Sequence, residues 1–469
     1  MDDTQSGFDP RFEDPRKLDK ISRRGFLGGV VGVAGAALLA TPRASRAAQT
    51  TPPPTSSPTP QPDDEPYWRW VADQFLIREN LAYMNTGTRG PSPRSVYEAQ
   101  IEAIRASNVD RLSYARYVHN AEFRDALRIK MATFLGCNPS EVAFTNNTTE
   151  GMAFGTNGPD FERGDEMICT NHDHSSGAQP VYLRAARQGL NVKMVDLAHP
   201  RFHPPRSPTD IIDAFDALIS RRTKLISLCQ VNYTDGCVLP VKEICELARS
   251  KGILTLVDGA HPPGMMDLDL HALGCDMYAG ACHKWMMAGM LTGFFYVREA
   301  LQDRIWPTIY SGPVNGLNMY GEQVNERYAA RAQTAARYEM RGSGNYAAAR
   351  SIDAALDFHN AITPQAIEAR DRYLAARARD GLRAIGGVEM YSSDDPKSSC
   401  ALVSFSVRGV ETRDLSAALW DRHQIYIRNV THPEIHWDAN RASLHLMVTS
   451  ADVDLLVGGV AEIAKEAKA

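Results

Sequence analysis

The sequence has no basic excess, no Cys-x-x-Cys pair and no apolar run long enough to cross a bilayer. Its 51 Lys and Arg stand against 56 Asp and Glu, a formal net charge of −5. The electrostatic footprint of a nucleic-acid binder is therefore missing, and no nucleic-acid partner is expected. The eight cysteines are Cys137, Cys169, Cys229, Cys237, Cys245, Cys275, Cys282 and Cys400. They lack the tight spacing of a metal site, so no metal is expected. Several sit in apolar, strand-like runs, which reads as buried free thiols, although export would let some of them pair. The N-terminal apolar stretch Gly28 to Ala40 has about 13 residues, against the roughly 20 that a spanning helix needs.

That stretch fits a different use. Ser22-Arg23-Arg24-Gly25-Phe26-Leu27 precedes it and Ala44-Ser45-Arg46-Ala47 follows it. A charged region, an apolar region and then small residues form the order of a removable export signal. The paired arginines before Phe-Leu resemble a twin-arginine signal, which implies the Tat export machinery as a partner and a periplasmic or extracellular location. Residues 1–48 are thus expected to be signal and residues 49–66 a linker. The segment from Thr50 to Pro66, TTPPPTSSPTPQPDDEP, has too little apolar surface to fold. The rest, beginning near Tyr67 in a chain of 469 residues that is 43% apolar, is long enough for two domains.

From Pro139 to Val297 apolar runs alternate with helical patterns. Val142-Ala143-Phe144, Met167-Ile168-Cys169, Val192 to Val195, Leu225 to Leu228, Leu254 to Val257 and Phe294 to Val297 read as strands. Ile211 to Arg221 and Val241 to Lys251 read as helices between them. The alternation predicts an α/β fold with a mainly parallel sheet covered on both faces. Beyond it, Ala347 to Gly381 reads as helix and Cys400 to Val407, Ile425 to Arg428 and Ser443 to Val448 as strands. Ala451 to Ala469 reads as a closing helix. This predicts a large domain over residues 67–345 and a smaller α+β domain over 346–469, with the segment from Tyr67 to about Asn85 a candidate to join the smaller one.

Two short segments carry the chemistry. Asp258 ends the run Leu254 to Val257, and a carboxylate there is costly to bury without a positive partner. Lys284 follows the small residues Ala279-Gly280-Ala281 and the pair Cys282-His283. A shielded lysine loses its proton readily, as nucleophilic amine chemistry requires. Alone, an Asp-Gly is a turn and a His-Lys pair is solvated surface.

In this order the two resemble the class V aminotransferase family of fold-type I pyridoxal-phosphate enzymes, and within it the isopenicillin-N epimerase-like subset. The resemblance covers nearly the whole chain after about Ala82. It implies a seven-stranded type of sheet, pyridoxal 5′-phosphate as cofactor, Lys284 as the Schiff-base lysine and Asp258 at the ring nitrogen. The turn Asn146-Asn147-Thr148-Thr149 opens a helix, and helix N-termini suit phosphate; by the match, Thr148 and Thr149 meet the cofactor phosphate. In Asn171-His172-Asp173-His174, the match gives His174 as the residue stacked on the ring, with His172 second. In Gln230-Val231-Asn232-Tyr233, Asn232 approaches the phenolic oxygen, with Tyr233 the alternative. His261 stands where desulfurases carry a glutamine beside that oxygen. Ser343, within Arg341-Gly342-Ser343-Gly344, matches a loop that reaches a partner's phosphate, which implies a homodimer. Arg441 matches the clamp on a substrate α-carboxylate, a task for a guanidinium. Arg428 is a second candidate for an acidic group of an amino-acid or peptide-like substrate.

Two departures shape the expected reaction. Ala281 replaces a serine that desulfurases use for phosphate, which shifts that work to Thr148, Thr149, His283 and Ser343. The loop Asn429-Val430-Thr431-His432-Pro433-Glu434 has no cysteine, so the persulfide chemistry of desulfurases lacks its nucleophile. Epimerisation or amino transfer at the α-carbon is the expected outcome. A C–S lyase without a cysteine nucleophile, a side-chain-modifying enzyme of siderophore maturation, and an exported binding protein that keeps the fold are the alternatives.

Overall fold

A helix, α1 (Glu65–Ala72), and a two-residue strand, β1 (Ala82–Tyr83), lead into a seven-stranded sheet in this computed structural model, which describes residues 59–110, 121–198, 207–342 and 344–467. The expected signal, the linker up to residue 58 and Ser343 lie outside the described residues.

The large sheet consists of β2 (Val142–Thr145), β3 (Glu166–Thr170), β4 (Asn191–Val195), β5 (Thr223–Cys229), β6 (Leu254–Gly259), β7 (Met277–Ala281) and β8 (Gly293–Val297). The spatial order is β2-β8-β7-β6-β5-β3-β4. The five strands from β7 to β4 run parallel, while β8 is antiparallel to both β7 and β2. The runs are continuous in sequence because both faces are covered. Ile168, Ile226, Val257 and Phe294 enter one core, and their neighbours Met167, Leu225, Leu256 and Phe295 enter another. The helices α2 (Thr148–Asn157), α3 (Ser175–Gln188), α4 (Pro208–Asp216) and α5 (Val241–Ser250) make the crossovers. β7 is the strand that has no aliphatic run. Its Met-Tyr-Ala-Gly-Ala residues are all buried, and a Cβ on Gly280 would lie 2.2 Å from the ring of Phe294.

The C-terminal part carries a four-stranded antiparallel sheet in the order β12-β13-β10-β9. Its strands are β9 (Val388–Met390), β10 (Leu402–Val407), β12 (Arg428–His432) and β13 (Trp437–Ser443); β11 (Ile425–Tyr426) pairs in parallel with β1. Two expectations are corrected here. The continuous helix from Ala347 to Gly381 is two helices, α6 (Tyr346–Ile362) and α7 (Pro364–Arg383). Pro364 disfavours α geometry in the residue before it, and Thr363 sits at φ 87°. The strand expected from Ser443 to Val448 ends at Ser443 instead. Trp437 to Asn440 alternates apolar with polar, and the strand pairs with β12 through Trp437 to Arg441 and with β10 through Asn440 to Ser443, whereas Leu444 and Leu446 bury their side chains from an irregular segment. The helices α8 (Thr412–His423) and α9 (Ser450–Glu466) complete this layer. Its core also contains Tyr67, Trp68 and Val71 of α1 and Ala82 of β1.

Candidate active site

The carboxyl ends of β2, β3, β5, β6 and β7 converge on one cavity of about 260 Å³. Ligands of open α/β sheets bind at such strand ends. Thr148, Thr149, His174, Asp258, His261, His283, Lys284, Arg428 and Arg441 all line it. Segments as far apart in sequence as Gly87 and Arg441 therefore meet, as a three-dimensional site requires. A second cavity, of about 590 Å³, borders Phe144, Glu339 and Arg341, and these two charged side chains already have partners. Glu339 pairs with Arg128 and Arg331, and Arg341 with Glu150.

Asp258 closes β6 and is buried, with Oδ1 accepting the Ala260 N–H at 3.0 Å. Burial pushes its carboxyl up, while the Lys284 charge and that N–H pull it down. It has no ion-pair partner among the described residues. The N-terminal turn of α3 packs onto it so closely that a Cβ on Gly177 would lie 2.7 Å from Oδ2. Lys284 is partly open to the cavity, and enclosure by protein brings its ammonium down to about 8, with Asp258 opposing and Arg441 and Arg428 assisting. The backbone around it is tightly held. The Gly90 N–H donates to the His283 carbonyl at 3.0 Å, and the Met287 N–H to the Lys284 carbonyl at 3.1 Å. Met287 adopts φ 56°, a left-handed conformation that costs a side-chain-bearing residue on the order of 1–3 kcal/mol.

The anion-binding corner is the start of α2. The Asn147 side chain caps it by accepting the Glu150 N–H at 2.9 Å, which leaves Thr148 free of capping work. The Thr148 hydroxyl is buried and has no partner among the described residues. Thr149 beside it is exposed. His283 Nδ1 donates to the Thr292 carbonyl at 2.9 Å, so its other nitrogen is the one available to a ligand.

His174 is the N-cap of α3, its Nδ1 accepting the Ser176 N–H at 3.1 Å. Burial first, then the nearby cations, bring the imidazole down to about 3, so it presents a neutral ring. Tyr233 meets it edge-on at 4.9 Å. His172 is completely buried away from the cavity, its Nδ1 2.6 Å from the Thr234 hydroxyl. Asp173 joins strand ends instead: its carboxylate accepts the N–H groups of Thr170 at 2.7 Å and Cys229 at 2.8 Å.

Arg441 and Arg428 are directly paired across β13 and β12. Arg441 is 2% exposed, and Nη1 donates to the Tyr233 carbonyl at 2.5 Å. Burial, reinforced by Arg428, moves its guanidinium down to about 9, still cationic at neutral pH. Arg428 donates to the Thr88 hydroxyl at 2.8 Å. Neither arginine has an acidic partner among the described residues.

One expected residue is not at the wall. Asn232 is fully buried and does not line the cavity; its Oδ1 accepts from the Cys229 thiol at 3.2 Å, and Tyr233 occupies the wall instead. Gly87 and Thr88 were not anticipated. The turn Asn85-Thr86-Gly87-Thr88 after β1 is their only sequence signal, and a Cβ on Gly87 would lie 2.9 Å from Ser443 Oγ and 3.1 Å from Arg441 Nη2. None of the eight cysteines borders the cavity, and all are free thiols.

These residues fit pyridoxal phosphate. A buried carboxylate without an ion pair suits a protonated ring nitrogen, an unpartnered hydroxyl at a helix N-terminus suits a phosphate, and a lysine of lowered basicity lies between them.

Comparison with known proteins agrees with this fit. The family profile described as "Aminotransferase class-V" matches residues 84–456. An isopenicillin N epimerase of Amycolatopsis lactamdurans is 30% identical over 412 residues, covering 85% of this chain and 99% of its own. A probable cysteine desulfurase of Methanothermobacter thermautotrophicus is 26% identical over 401 residues, covering 83% of this chain and 96% of its own. A solved C-DES mutant with glycine covalently linked to its PLP cofactor shares the fold, with a TM-score of 0.74 at 22% identity over 83% of this chain and 98% of that one. The chain belongs to the aminotransferase class-V family.

Proposed function

We propose that this chain is a pyridoxal-phosphate enzyme that moves a proton at the α-carbon of an amino-acid or peptide-like metabolite, in the manner of an isopenicillin N epimerase. The observation that carries the reading is the cavity itself: Lys284, Asp258 and Arg441 share it, and no thiol does. A desulfurase-type reaction requires a thiolate within reach of the substrate. Burial instead holds Cys229 and Cys282 far above the usual thiol range.

The bound cofactor supplies an electron sink for the pair left when a bond to the α-carbon breaks. Asp258 would keep its ring nitrogen protonated, and Thr148, Thr149 and His283 would hold its phosphate. His174 would cover one face of its ring with a neutral imidazole. Lys284 would attach it and afterwards, as a free amine of lowered basicity, take a proton from the α-carbon on its own face; inversion then requires the returning proton to arrive on the opposite face. Arg441 would hold the α-carboxylate through two N–H groups and so fix which bond faces Lys284. Arg428, exposed at the cavity edge, would meet a second acidic group.

The reading is tested with the purified holoenzyme in deuterated water. Isopenicillin N and free amino acids are incubated with it, and deuterium at the α-carbon with inversion is expected. Keto acid formation without inversion supports amino transfer, and pyruvate with sulfide or persulfide supports a C–S lyase. A protein that shows no visible absorbance band with the cofactor, and no loss of one on borohydride treatment, is not such an enzyme.

The same reading includes export and a homodimer. Arg23 and Arg24 would route the chain through the Tat machinery to the periplasm or outside. Replacing both with lysine is expected to leave the protein in the cytoplasm, which cell fractionation would detect.

A further inference from the structure

Trp285, next to Lys284, is fully buried and held at both ends. Its indole Nε1 donates to His261 Nδ1 at 3.1 Å. Two imidazoles approach its carbonyl: His445 Nε2 at 2.9 Å and His359 Nε2 at 3.2 Å. His445 Nδ1 in turn lies 2.7 Å from Asp371 Oδ2. His445, His359 and Asp371 are at most 1% exposed, and none of them touches the cavity.

Counting protons defines the roles. A carbonyl oxygen only accepts, so a ring nitrogen bonded to Trp285 O must carry hydrogen. Burial brings His359 down to about 4, which leaves it neutral with one N–H, and the shorter contact, 2.9 Å to the Ala355 carbonyl, takes that hydrogen. His445 is then the donor to Trp285. Its Nε2 carries one proton, and a second lies between Nδ1 and Asp371, whose carboxyl is pushed up to about 6 by burial against the pull of His445 and Arg370. Glu368 of the same helix and His359, its ring 6.4 Å from that of His445, are the other titratable neighbours.

The other end of Trp285 is equally constrained. An indole N–H only donates, so His261 Nδ1 must be the bare nitrogen. Burial and the Lys284 charge hold His261 neutral, and its one hydrogen must sit on Nε2. We propose that Asp371 and His445 are positioning residues that hold Trp285 in place, and that Trp285 locks His261 in the Nε2–H tautomer, so that the cavity is offered a hydrogen-bond donor there and not a base. The inference rests on the cavity being the cofactor site. A glutamine amide at this position would offer a donor without needing the lock.

The test uses the full-length protein with and without cofactor. In apoprotein carrying ¹⁵N-labelled histidine, His261 is expected to show hydrogen on Nε2 alone, and Trp285→Phe to release a tautomer mixture. In the holoenzyme, Trp285→Phe is expected to move the pH midpoint of the visible band by about one unit, the size of one hydrogen bond that differs between protonation states. His261→Gln should remove that sensitivity, so the double variant Trp285→Phe/His261→Gln should match His261→Gln. His445→Leu should move the midpoint as Trp285→Phe does, and His445→Gln, which keeps an N–H for the carbonyl, should restore it. An unchanged His261 tautomer in Trp285→Phe overturns the inference, as do additive shifts in the double variant. His445→Gln behaving as His445→Leu overturns the part played by His445. Trp285→Phe carries the test if His445→Leu does not fold. A protein with no visible band refutes the cofactor reading separately, and the apoprotein spectra still decide the tautomer.

Discussion

At the scale of single residues, the decisive physics is the cost of enclosing charge. Lys284 is driven down to about 8 because its ammonium loses water inside the cavity, and Asp258 only partly offsets that loss. The sign follows directly. The protonated form dominates below about 8 and cannot attack a carbonyl, while the neutral form dominates above it. Cofactor uptake by the apoprotein is therefore expected to accelerate as pH rises through about 8 and then level off, measured by growth of the visible band after mixing. Lys284→Ala should leave no borohydride-stable attachment at any pH. Arg441 offers a second check, since its planar fork faces the cavity with no acid to satisfy it. Arg441→Lys keeps the charge but loses one of two parallel hydrogen bonds. It should lower kcat/KM by roughly tenfold to a hundredfold, the equivalent of about 1.5–3 kcal/mol for a bond to a charged group.

At the scale of elements, the junction of α6 and α7 shows where local chemistry overrides pattern. Thr363 sits at φ 87° with Pro364 behind it, and its hydroxyl accepts the Ala366 N–H at 3.3 Å. Glycine there relieves about 1–3 kcal/mol of backbone strain and forfeits a few tenths for the lost cap. Thr363→Gly should therefore raise the urea midpoint, by an amount equivalent to about 1 kcal/mol. Sequence patterning reads one helix across this point because the 3.6-residue periodicity continues and only the Thr-Pro pair signals the break. The main-sheet strands were legible for the opposite reason: burial on both faces leaves unbroken apolar runs. β7 was not, because Ala279, Gly280 and Ala281 are small to admit α2 and the Phe294 ring, and small residues carry no strand signature. β13 was displaced for a related cause, since Asn440 and Arg441 are polar residues that are completely buried. At the cavity, the residues that announce chemistry by type were readable from motif order. Gly87 and Thr88 were not, because one acts through how closely its backbone approaches Arg441 and the other through a single hydroxyl that accepts from Arg428.

At the scale of the whole molecule, the region from Trp306 to Tyr328 leaves apolar side chains in water. Met319 is 88% exposed, Tyr320 78% and Val314 57%. Apolar surface of this kind, clustered along one segment, marks an interface. We therefore expect a homodimer in solution, and Met319→Glu with Tyr320→Glu to shift it toward monomer in sedimentation experiments. If Ser343 reaches the partner's phosphate, the same pair of substitutions also weakens cofactor retention on dialysis. A monomer whose retention is unchanged would separate the interface from the site.

The shared core of α1 and the C-terminal helices has a consequence for how the chain is made. Trp68 and Val71 share one core with Leu456 and Val460, and β1 finds its partner strand only at Ile425. Such contacts are among the most distant in sequence that the chain makes, and distant contacts form late. A ribosome that has released the first 400 residues still holds the seam that closes both ends. The completed domain thus exists only after β11 and α9 have been made, and a nascent chain stalled short of β11 carries α1 without the surface that buries it.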